Sequence, residues 1–216
     1  MPLPSPVDLL FPPKCPICRK LVGLKESICP DCARALPYAS GGKVKQKGDF
    51  IEGCYSPFFY EEPLRGSFLR YKFNGKQHYA RCYGKWMADC LMAQDQTDFD
   101  LVTWAPLSRL RRWRRGYDQA ELLAREVAAH LSLPLASTLR KANRKPLSRL
   151  EGTRSIRAAR ILGAYSLCKG ADVMGKRLLL VDDIVTSGAT MNECARVLKT
   201  AGATRITCVA LARKRD

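Results

Sequence analysis

The sequence contains very little histidine and no long apolar run. Its two histidines, His78 and His130, fall in a polar segment and late in an amphipathic helix, so no histidine general base is visible. No stretch of about 18 apolar residues occurs, which argues against a membrane-spanning helix. The first ten residues lack a basic region followed by an apolar one, so we expect no secretory signal and a cytoplasmic location. A P-loop motif is also missing.

Acidic residues are scarce relative to basic ones. The 216 residues include 37 Lys and Arg against 20 Asp and Glu, a formal net charge of +17. Such an excess attracts polyanions, among them nucleic acid and phosphorylated metabolites, but it does not choose between them. Hydrophobic residues make up 46% of the chain, which is enough for one sizeable core and excludes a mainly disordered protein.

The ten cysteines divide into two sets, and a disulfide framework is not expected in a cytoplasmic chain. Two CxxC pairs lie near the N-terminus, and four thiolates at this spacing predict a closed tetrahedral structural zinc site, with iron as the alternative metal. The predicted ligands are Cys15, Cys18, Cys29 and Cys32. The zinc module then either only stabilises the fold or is a zinc finger that helps to bind nucleic acid or a partner. The scattered cysteines are predicted to be small buried residues: Cys54, Cys82, Cys90, Cys168, Cys194 and Cys208.

Composition shifts divide the chain into a zinc-binding module at 1–38, a polar Gly- and Lys-rich linker at 39–49 and an α/β domain at 50–216. Residues 140–160 carry no core pattern and are predicted to form a long functional loop. Apolar periodicity predicts the elements of the domain: a strand or hairpin at 50–60, helices at 63–73, 79–92, 118–131 and from 189, and strands at 100–105, 176–181 and 204–211. A strand that is apolar on both faces, as at 178–181, indicates a parallel sheet.

The strongest chemical signal is the segment 178–190, LLLVDDIVTSGAT. A buried strand delivers Asp182 and Asp183 to its carboxyl end, where ligands of α/β sheets bind. The following loop offers hydroxyls, backbone amides and a helix N-terminus to a phosphate, and Gly188 lets the backbone approach closely. The candidate phosphate-binding residues are Val185, Thr186, Ser187, Gly188, Ala189 and Thr190. Carboxylates beside a phosphate cup suit sugar hydroxyls, so the segment predicts a site for a sugar phosphate.

The centre of the chain is its most basic part. Between 105 and 160 there are fourteen Arg and Lys against four Asp and Glu. Trp113 and Tyr117 interleave with five arginines, a mixture that suits phosphates and stacked bases of a single strand, and also suits pyrophosphate. A solvated arginine-rich face is the alternative. The candidate nucleic-acid or pyrophosphate residues are Arg109, Arg111, Arg112 and Arg115.

Segment 178–190 resembles the phosphoribosyl-pyrophosphate (PRPP) motif of type I phosphoribosyltransferases. The resemblance implies the α/β fold of that family, with a mostly parallel central sheet. It implies that Asp182 and Asp183 hold the ribose 2′- and 3′-hydroxyls as catalytic residues, and that residues 185–190 surround the 5′-phosphate. It also implies that Mg²⁺ enters with the pyrophosphate and that the transition state resembles an oxocarbenium ion.

Over residues 10–213 the order of motifs resembles the ComF family of competence proteins: paired CxxC knuckles, a Pro-Leu-Ser segment running to Arg-Gly-Tyr-Asp-Gln at 115–119, and the PRPP motif. The resemblance implies a cytoplasmic role in natural transformation, with single-stranded DNA and proteins of the uptake machinery as partners. The chain departs from the family pattern at three places: Asp118 replaces the usual Asn, Ser148 stands where Gln is frequent, and Arg160 replaces Asn. These changes leave the two aspartates intact and concern the acceptor side.

Three functions follow from these motifs. The first is a binding protein that takes PRPP and single-stranded DNA during DNA uptake. The second is an active phosphoribosyltransferase that joins ribose 5-phosphate from PRPP to a nitrogenous acceptor. The third is a regulator that senses PRPP and reports it to a partner.

Overall fold

The structure is a computed structural model that describes residues 12–23, 26–39, 50–142 and 161–215. Ser148, Arg157 and Arg160, most of the predicted loop and most of the linker lie outside these residues. The described helices are α1 (Pro30–Ala35), α2 (Leu64–Phe73), α3 (Tyr79–Met92), α4 (Arg109–Arg115), α5 (Gln119–Leu131) and α6 (Ala189–Thr200). None of these helices combines the length and the apolar character that crossing a bilayer requires.

A parallel sheet forms the centre of the fold. Its strands are β1 (Gly53–Tyr55), β2 (Phe58–Phe59), β3 (Leu101–Trp104), β6 (Arg177–Val185) and β7 (Arg205–Arg213). The strand order is β1-β7-β6-β3. Both β1 and β2 pair with β7 in parallel. The hairpin interpretation of residues 50–60 is therefore wrong, because the chain continues along the same strand after Ser56 and Pro57 instead of turning back.

Strand β6 is buried on both faces, as its apolar run predicts. Leu178 and Leu180 belong to the core that includes Cys194 of α6, whereas Leu179 and Val181 belong to the core that includes Leu123 of α5. Helices therefore cover both sides of the sheet. The strand runs to Val185, four residues past the predicted end, so the two aspartates lie within the strand and not after it.

A second, two-stranded antiparallel sheet lies beside the carboxyl ends of the central strands. It consists of β4 (Leu139–Lys141) and β5 (Tyr165–Leu167), in which Lys141 pairs with Tyr165. A bridge joins Ser108 to Lys141, so this sheet continues from the segment that follows β3. Strand β4 overlaps the start of the loop predicted at 140–160, so that prediction is wrong for residues 140 and 141. Together they bring Lys141 and Tyr165 to the carboxyl end of β6, where the two aspartates lie.

The N-terminal module packs into the same core as the α/β domain. Cys15, Ile17 and Leu36 are buried in one cluster with Phe58 and Tyr83. Of the scattered cysteines, Cys54, Cys82, Cys194 and Cys208 are buried as predicted, whereas Cys90 and Cys168 are only partly buried. The module thus shares its apolar contacts with the larger domain, which a segment of its size needs because it buries too little surface alone.

Candidate functional site

The loop between β6 and α6 ends in a helix N-terminus without a side-chain cap. Gly188 occupies the N-cap position with φ of +70°, where a glycine is favoured, and the first turn of α6 contains no acidic residue. Thr186 is exposed, and Ser187, Ala189 and Thr190 are partly exposed. An uncapped N-terminus of this kind presents amide groups and a positive helix end to an anion. The geometry fits the predicted phosphate cup.

Asp182 and Asp183 face different neighbours, as adjacent residues of a strand do. Asp183 accepts a hydrogen bond from Nζ of Lys72 at 3.1 Å, with side chains only 23% and 18% exposed. Asp182 instead interacts electrostatically with Lys141, on the side of β4 and β5. The backbone ties the pair together, because the Asp183 amide donates to Oδ1 of Asp182 at 2.7 Å. Two carboxylates therefore flank the strand end, each with a lysine beside it.

The environment of Asp182 disfavours its charge. Burial, and then repulsion from Asp183, raise the pKa of Asp182 to about 8, while Lys141 and Lys72 act in the opposite direction. The neutral form of this side chain is therefore favoured up to a higher pH than in an ordinary aspartate. A strongly shifted carboxyl group at a sheet edge is a common property of functional sites.

Lys141 and Tyr165 complete this side of the site, and sequence reasoning missed both. Nζ of Lys141 donates to the Tyr165 hydroxyl at 2.7 Å, and the side chain of Thr190 in the phosphate loop also bonds to that hydroxyl. Burial, followed by repulsion from Arg111, lowers the pKa of Lys141. Lys141 thus interacts with groups from three parts of the site. These are the acid pair (Asp182 and Asp183), the Tyr165 hydroxyl beside the phosphate loop (residues 185–190), and the arginine cluster (Arg109, Arg111 and Arg112).

The basic segment forms a short exposed helix beside a cavity. Arg109, Arg111 and Arg112 on α4 are exposed, and Arg112 pairs with Glu121 at 3.1 Å. The cavity has a volume of about 530 Å³, and the residues that line it include Trp104, Arg109, Arg112, Asp118, Arg140 and Lys141. Lys141 lines this cavity and also interacts electrostatically with Asp182. An anion in the cavity therefore meets the cationic side chains of Arg109, Arg112, Arg140 and Lys141.

The two aromatic residues predicted to interleave with the arginines differ in their exposure to solvent. Trp113 is 80% exposed, as a stacking platform requires, but Tyr117 is buried at 8%. The expectation that Tyr117 offers a stacking face is therefore wrong. Gly116 ends α4 in the left-handed region with φ of +78°, and the chain then turns Tyr117 inward against Tyr71.

Arg115 lies apart from the other predicted arginines. Its Nη1 donates to Oε1 of Gln119 at 2.9 Å, and its guanidinium carbon lies 5.2 Å from the ring centroid of Phe73. Phe73 is 62% exposed at the end of α2. Arg115 therefore belongs to the side of the molecule that carries Lys72, not to the cavity wall.

Asp118 is a helix cap. It is buried, and its carboxylate accepts hydrogen bonds from the amides of Ala120 and Glu121 at the start of α5 and from the amide of Leu107. Asp at an N-cap with Glu121 three residues later is a recognisable capping signal. This departure from the family pattern therefore has a structural role, since it fixes the segment after β3 against α5.

The four N-terminal cysteines form one cluster. Their sulfur atoms all lie within 4.8 Å of one another, and those of Cys18 and Cys29 are 3.7 Å apart. Sulfur atoms bound at about 2.3 Å to a tetrahedral zinc ion are about 3.8 Å apart, so the cluster fits that metal. The predicted metal ligands are therefore brought together.

Comparison with known proteins gives two domain matches. The family model of the phosphoribosyl transferase domain matches residues 118–216, and that of the double zinc ribbon domain matches residues 6–46. The parallel sheet and four-cysteine module agree with these matches. The fold is that of a type I phosphoribosyltransferase with an N-terminal zinc-ribbon module.

Curated relatives match along much of the chain. It is 28% identical to the DNA utilization protein YhgH of Salmonella typhimurium over 89% of this chain and 86% of that protein. It is 28% identical to competence protein F of Haemophilus influenzae over 71% and 69% of the two chains. It is 30% identical to competence protein ComFC of Streptococcus pneumoniae over 72% and 66%.

Proposed function

Because the chain belongs to the ComF family of competence proteins, we propose that it acts in DNA uptake by binding PRPP and single-stranded DNA. PRPP, or another phosphoribosyl compound, binds at the strand end of β6 and the loop that follows. The single strand binds along α4 and the adjoining cavity. The relatives named for competence and DNA utilization support the cellular role, and the location we propose is the cytoplasm.

One observation carries the sugar-phosphate half of the proposal. The uncapped N-terminus of α6, opened by Gly188, lies directly after a strand end that bears two carboxylates. A phosphate bound by the loop would explain the helix N-terminus, and ribose hydroxyls that donate to Asp182 and Asp183 would explain the two carboxylates. In this function Mg²⁺ accompanies the pyrophosphate of PRPP, whose negative charge would otherwise face the two carboxylates.

The proposal that the chain binds single-stranded DNA rests on positive charge and on an exposed aromatic ring. Arg109, Arg111 and Arg112 offer charge to backbone phosphates, and Trp113 offers a ring face to a base. Proteins that hold single strands without sequence preference combine these two features. We further propose that residues 1–38 and 50–216 act as a zinc module and a ligand-binding domain, joined by 39–49.

The cavity favours a second candidate function, an active phosphoribosyltransferase. It has a volume of about 530 Å³, which is room for pyrophosphate or an acceptor, and Lys141 is one of the residues that line it. PRPP-dependent release of pyrophosphate against a panel of nitrogenous bases tests this candidate. Release with one base supports transfer chemistry, and its absence with all of them leaves the binding function alone.

Titration calorimetry tests the binding function on the full zinc-loaded chain. PRPP, ribose 5-phosphate and inorganic phosphate are compared in Mg²⁺. We expect affinity to fall in that order, because the first step removes the pyrophosphate that Mg²⁺ and cationic side chains would hold, and the second removes the ribose that Asp182 and Asp183 would hold. Equal heats for PRPP and inorganic phosphate would show that the ribose makes no contribution, and absent heats would refute the site.

A further inference from the structure

Helix α2 makes direct contact with the first zinc knuckle. The knuckle places Pro16 and Ile17 between Cys15 and Cys18. Nη2 of Arg70 donates hydrogen bonds to the carbonyl oxygens of Pro16 at 3.0 Å and Ile17 at 2.7 Å. Ser67 Oγ donates to the same Pro16 oxygen at 2.5 Å. The backbone that carries two metal ligands is therefore held by α2.

The same helix reaches the acid pair two residues later. Nζ of Lys72 lies 3.1 Å from Oδ2 of Asp183, and it lies 5.4 Å from the ring centroid of Phe68, one turn earlier. Both partners of the ion pair are largely shielded from water, so solvent screens it less than it screens a surface pair. Lys72 is therefore the cationic side chain that donates a hydrogen bond to Asp183 within the part of the chain that the structure describes.

Arg70 and Lys72 are separated only by Tyr71, and that residue is fixed. Tyr71 is fully buried, and its hydroxyl donates to the carbonyl oxygen of Gln119 at 2.8 Å. Leu64 and Phe68 on the same helix are also buried. Because closely packed cores transmit displacements instead of absorbing them, a change in the knuckle at Arg70 is expected to move the helix end that carries Lys72.

We propose that Lys72 is a binding residue of the phosphoribosyl site and that the zinc knuckle positions it there through Arg70. The inference rests on the proposed function, because it concerns the same acid pair. Without ligand, the Lys72 ammonium balances the charge of Asp183. With a phosphoribosyl ligand bound, it offers positive charge to an anion that two carboxylates alone would repel. Arg70 acts as a positioning residue, since it touches the knuckle and not the ligand.

This coupling has a reciprocal consequence. If an intact zinc knuckle strengthens PRPP binding, PRPP must stabilise the zinc-loaded knuckle by the same factor. Zinc retention then reports on a ligand that binds at the other end of α2. A zinc module that serves only as a staple for the fold would not respond to PRPP in this way.

The first experiment measures the equilibrium transfer of zinc from the full chain to a colorimetric chelator that does not bind Mg²⁺, with and without saturating Mg²⁺ and PRPP. We expect PRPP to raise the apparent zinc affinity of the chain about fivefold or more, the lower end of measured coupling factors. Lys72→Met should abolish most of this increase. Equal zinc affinities with and without PRPP, in a chain whose PRPP binding calorimetry has established, would overturn the inference.

The second experiment compares variants of α2 by calorimetry and zinc content. Arg70→Ala is expected to keep about one zinc per chain and to bind PRPP roughly fivefold or more weakly, and Arg70→Lys should recover part of the loss. Arg65→Ala is the matched control, because Arg65 lies on the exposed face of the same helix and pairs with Glu62. Unchanged affinity in zinc-loaded Arg70→Ala would contradict the positioning role.

The two proposals fail in distinguishable ways. If the unmodified chain gives no heat with PRPP, the proposed function is wrong. If it binds PRPP but zinc affinity and the Arg70 variants are unaffected, only the coupling is wrong. Should Arg70→Ala lose its zinc or fail to fold, the zinc affinities of the unmodified chain and of Lys72→Met, with and without PRPP, test the coupling instead.

Discussion

The ammonium of Lys141 and the hydroxyl of Tyr165 form a 2.7 Å hydrogen bond across the small antiparallel sheet. Lys141 Nζ also lies 4.6 Å from the centroid of the same ring. This pair places a positive charge beside Asp182 and a hydroxyl beside Thr190 of the phosphate loop. The small sheet therefore contributes side chains to a site whose motif lies entirely on β6 and α6.

Lys141→Met should weaken PRPP binding. The variant removes a cation from between the acid pair and the cavity while it keeps the apolar stem of the side chain. We expect a loss of about tenfold, or ~1.4 kcal/mol, measured by calorimetry in Mg²⁺. Lys176→Met is the control, because Lys176 pairs with Asp172 at an exposed position. Equal affinities of the two variants would contradict a role for Lys141 in the site.

Binding of PRPP should strengthen as pH rises through about 8. The raised pKa of Asp182 means that the folded protein keeps a proton there up to a higher pH than an ordinary aspartate does, and a protonated carboxyl group is a poorer acceptor for ribose hydroxyls. Calorimetry between pH 6.5 and 9 measures the trend, with PRPP and Mg²⁺ held at fixed concentration. Asp182→Asn should flatten the profile. A profile that is equally steep in that variant would assign the pH dependence to another group.

The same shift predicts a stability cost. Because the folded pKa of Asp182 lies above the unfolded value of about 3.9, stability falls as pH rises from about 4 to 8. The melting temperature of Asp182→Asn, relative to that of the unmodified chain, should therefore be higher at pH 8 than at pH 5. Asp31→Asn, at an exposed position of the zinc module, is the control. A melting-temperature difference that does not grow with pH would contradict the assignment.

Single-stranded DNA should bind through α4. Trp113→Ala should cost ~1–3 kcal/mol of binding if the ring stacks on a base. Arg109→Ala with Arg111→Ala should reduce the slope of log affinity against log salt by about 0.7 for each phosphate that the arginines no longer neutralise. Fluorescence anisotropy of a labelled single strand measures both effects. Lys85→Ala, which removes an exposed cation on α3 that pairs with Asp89, should leave binding unchanged. Salt-independent binding would refute this surface.

Asp118 should matter for stability more than for binding. Asp118→Ala removes the cap of α5 and the bond to Leu107, and we expect a loss of about 1–2 kcal/mol. Thermal melting should show a decrease of roughly 2–8 °C for a chain of this size. Asp118→Asn should lose less stability than the alanine variant, because Asn keeps one oxygen for the cap of α5 but has no second acceptor for the Leu107 amide. An alanine variant with unchanged melting temperature would contradict the capping role.

The sequence predicted the parts of the site that lie within one continuous segment. The apolar run before Asp182, the phosphate loop and the paired cysteines each carry a local signal, and the fold and family that they indicate are confirmed. Lys72 and Lys141 carry no such signal. They reach the acid pair only because α2 and β4 end beside β6, which depends on the topology of the whole sheet.

Two further differences have local physical causes. Tyr117 follows the glycine that ends α4, so its ring turns inward although its neighbours in sequence are exposed. Strand β6 continues through the two aspartates because its backbone still pairs with β7 as far as Val185. Side-chain polarity alone suggests an earlier end, whereas the backbone ladder decides where the strand stops. The capping signal of Asp118 and Glu121 was available in the sequence.

Calorimetric titration of PRPP into the unmodified chain and into the double variant Asp182→Asn, Asp183→Asn tests the central claim most directly. The asparagines keep the size of both side chains, and circular dichroism with zinc analysis verifies the fold. The account predicts saturable binding to the unmodified chain in Mg²⁺ and a loss of at least about a hundredfold, or ~2.7 kcal/mol, in the variant. Equal binding by both proteins would contradict the claim that this acid pair holds the ribose.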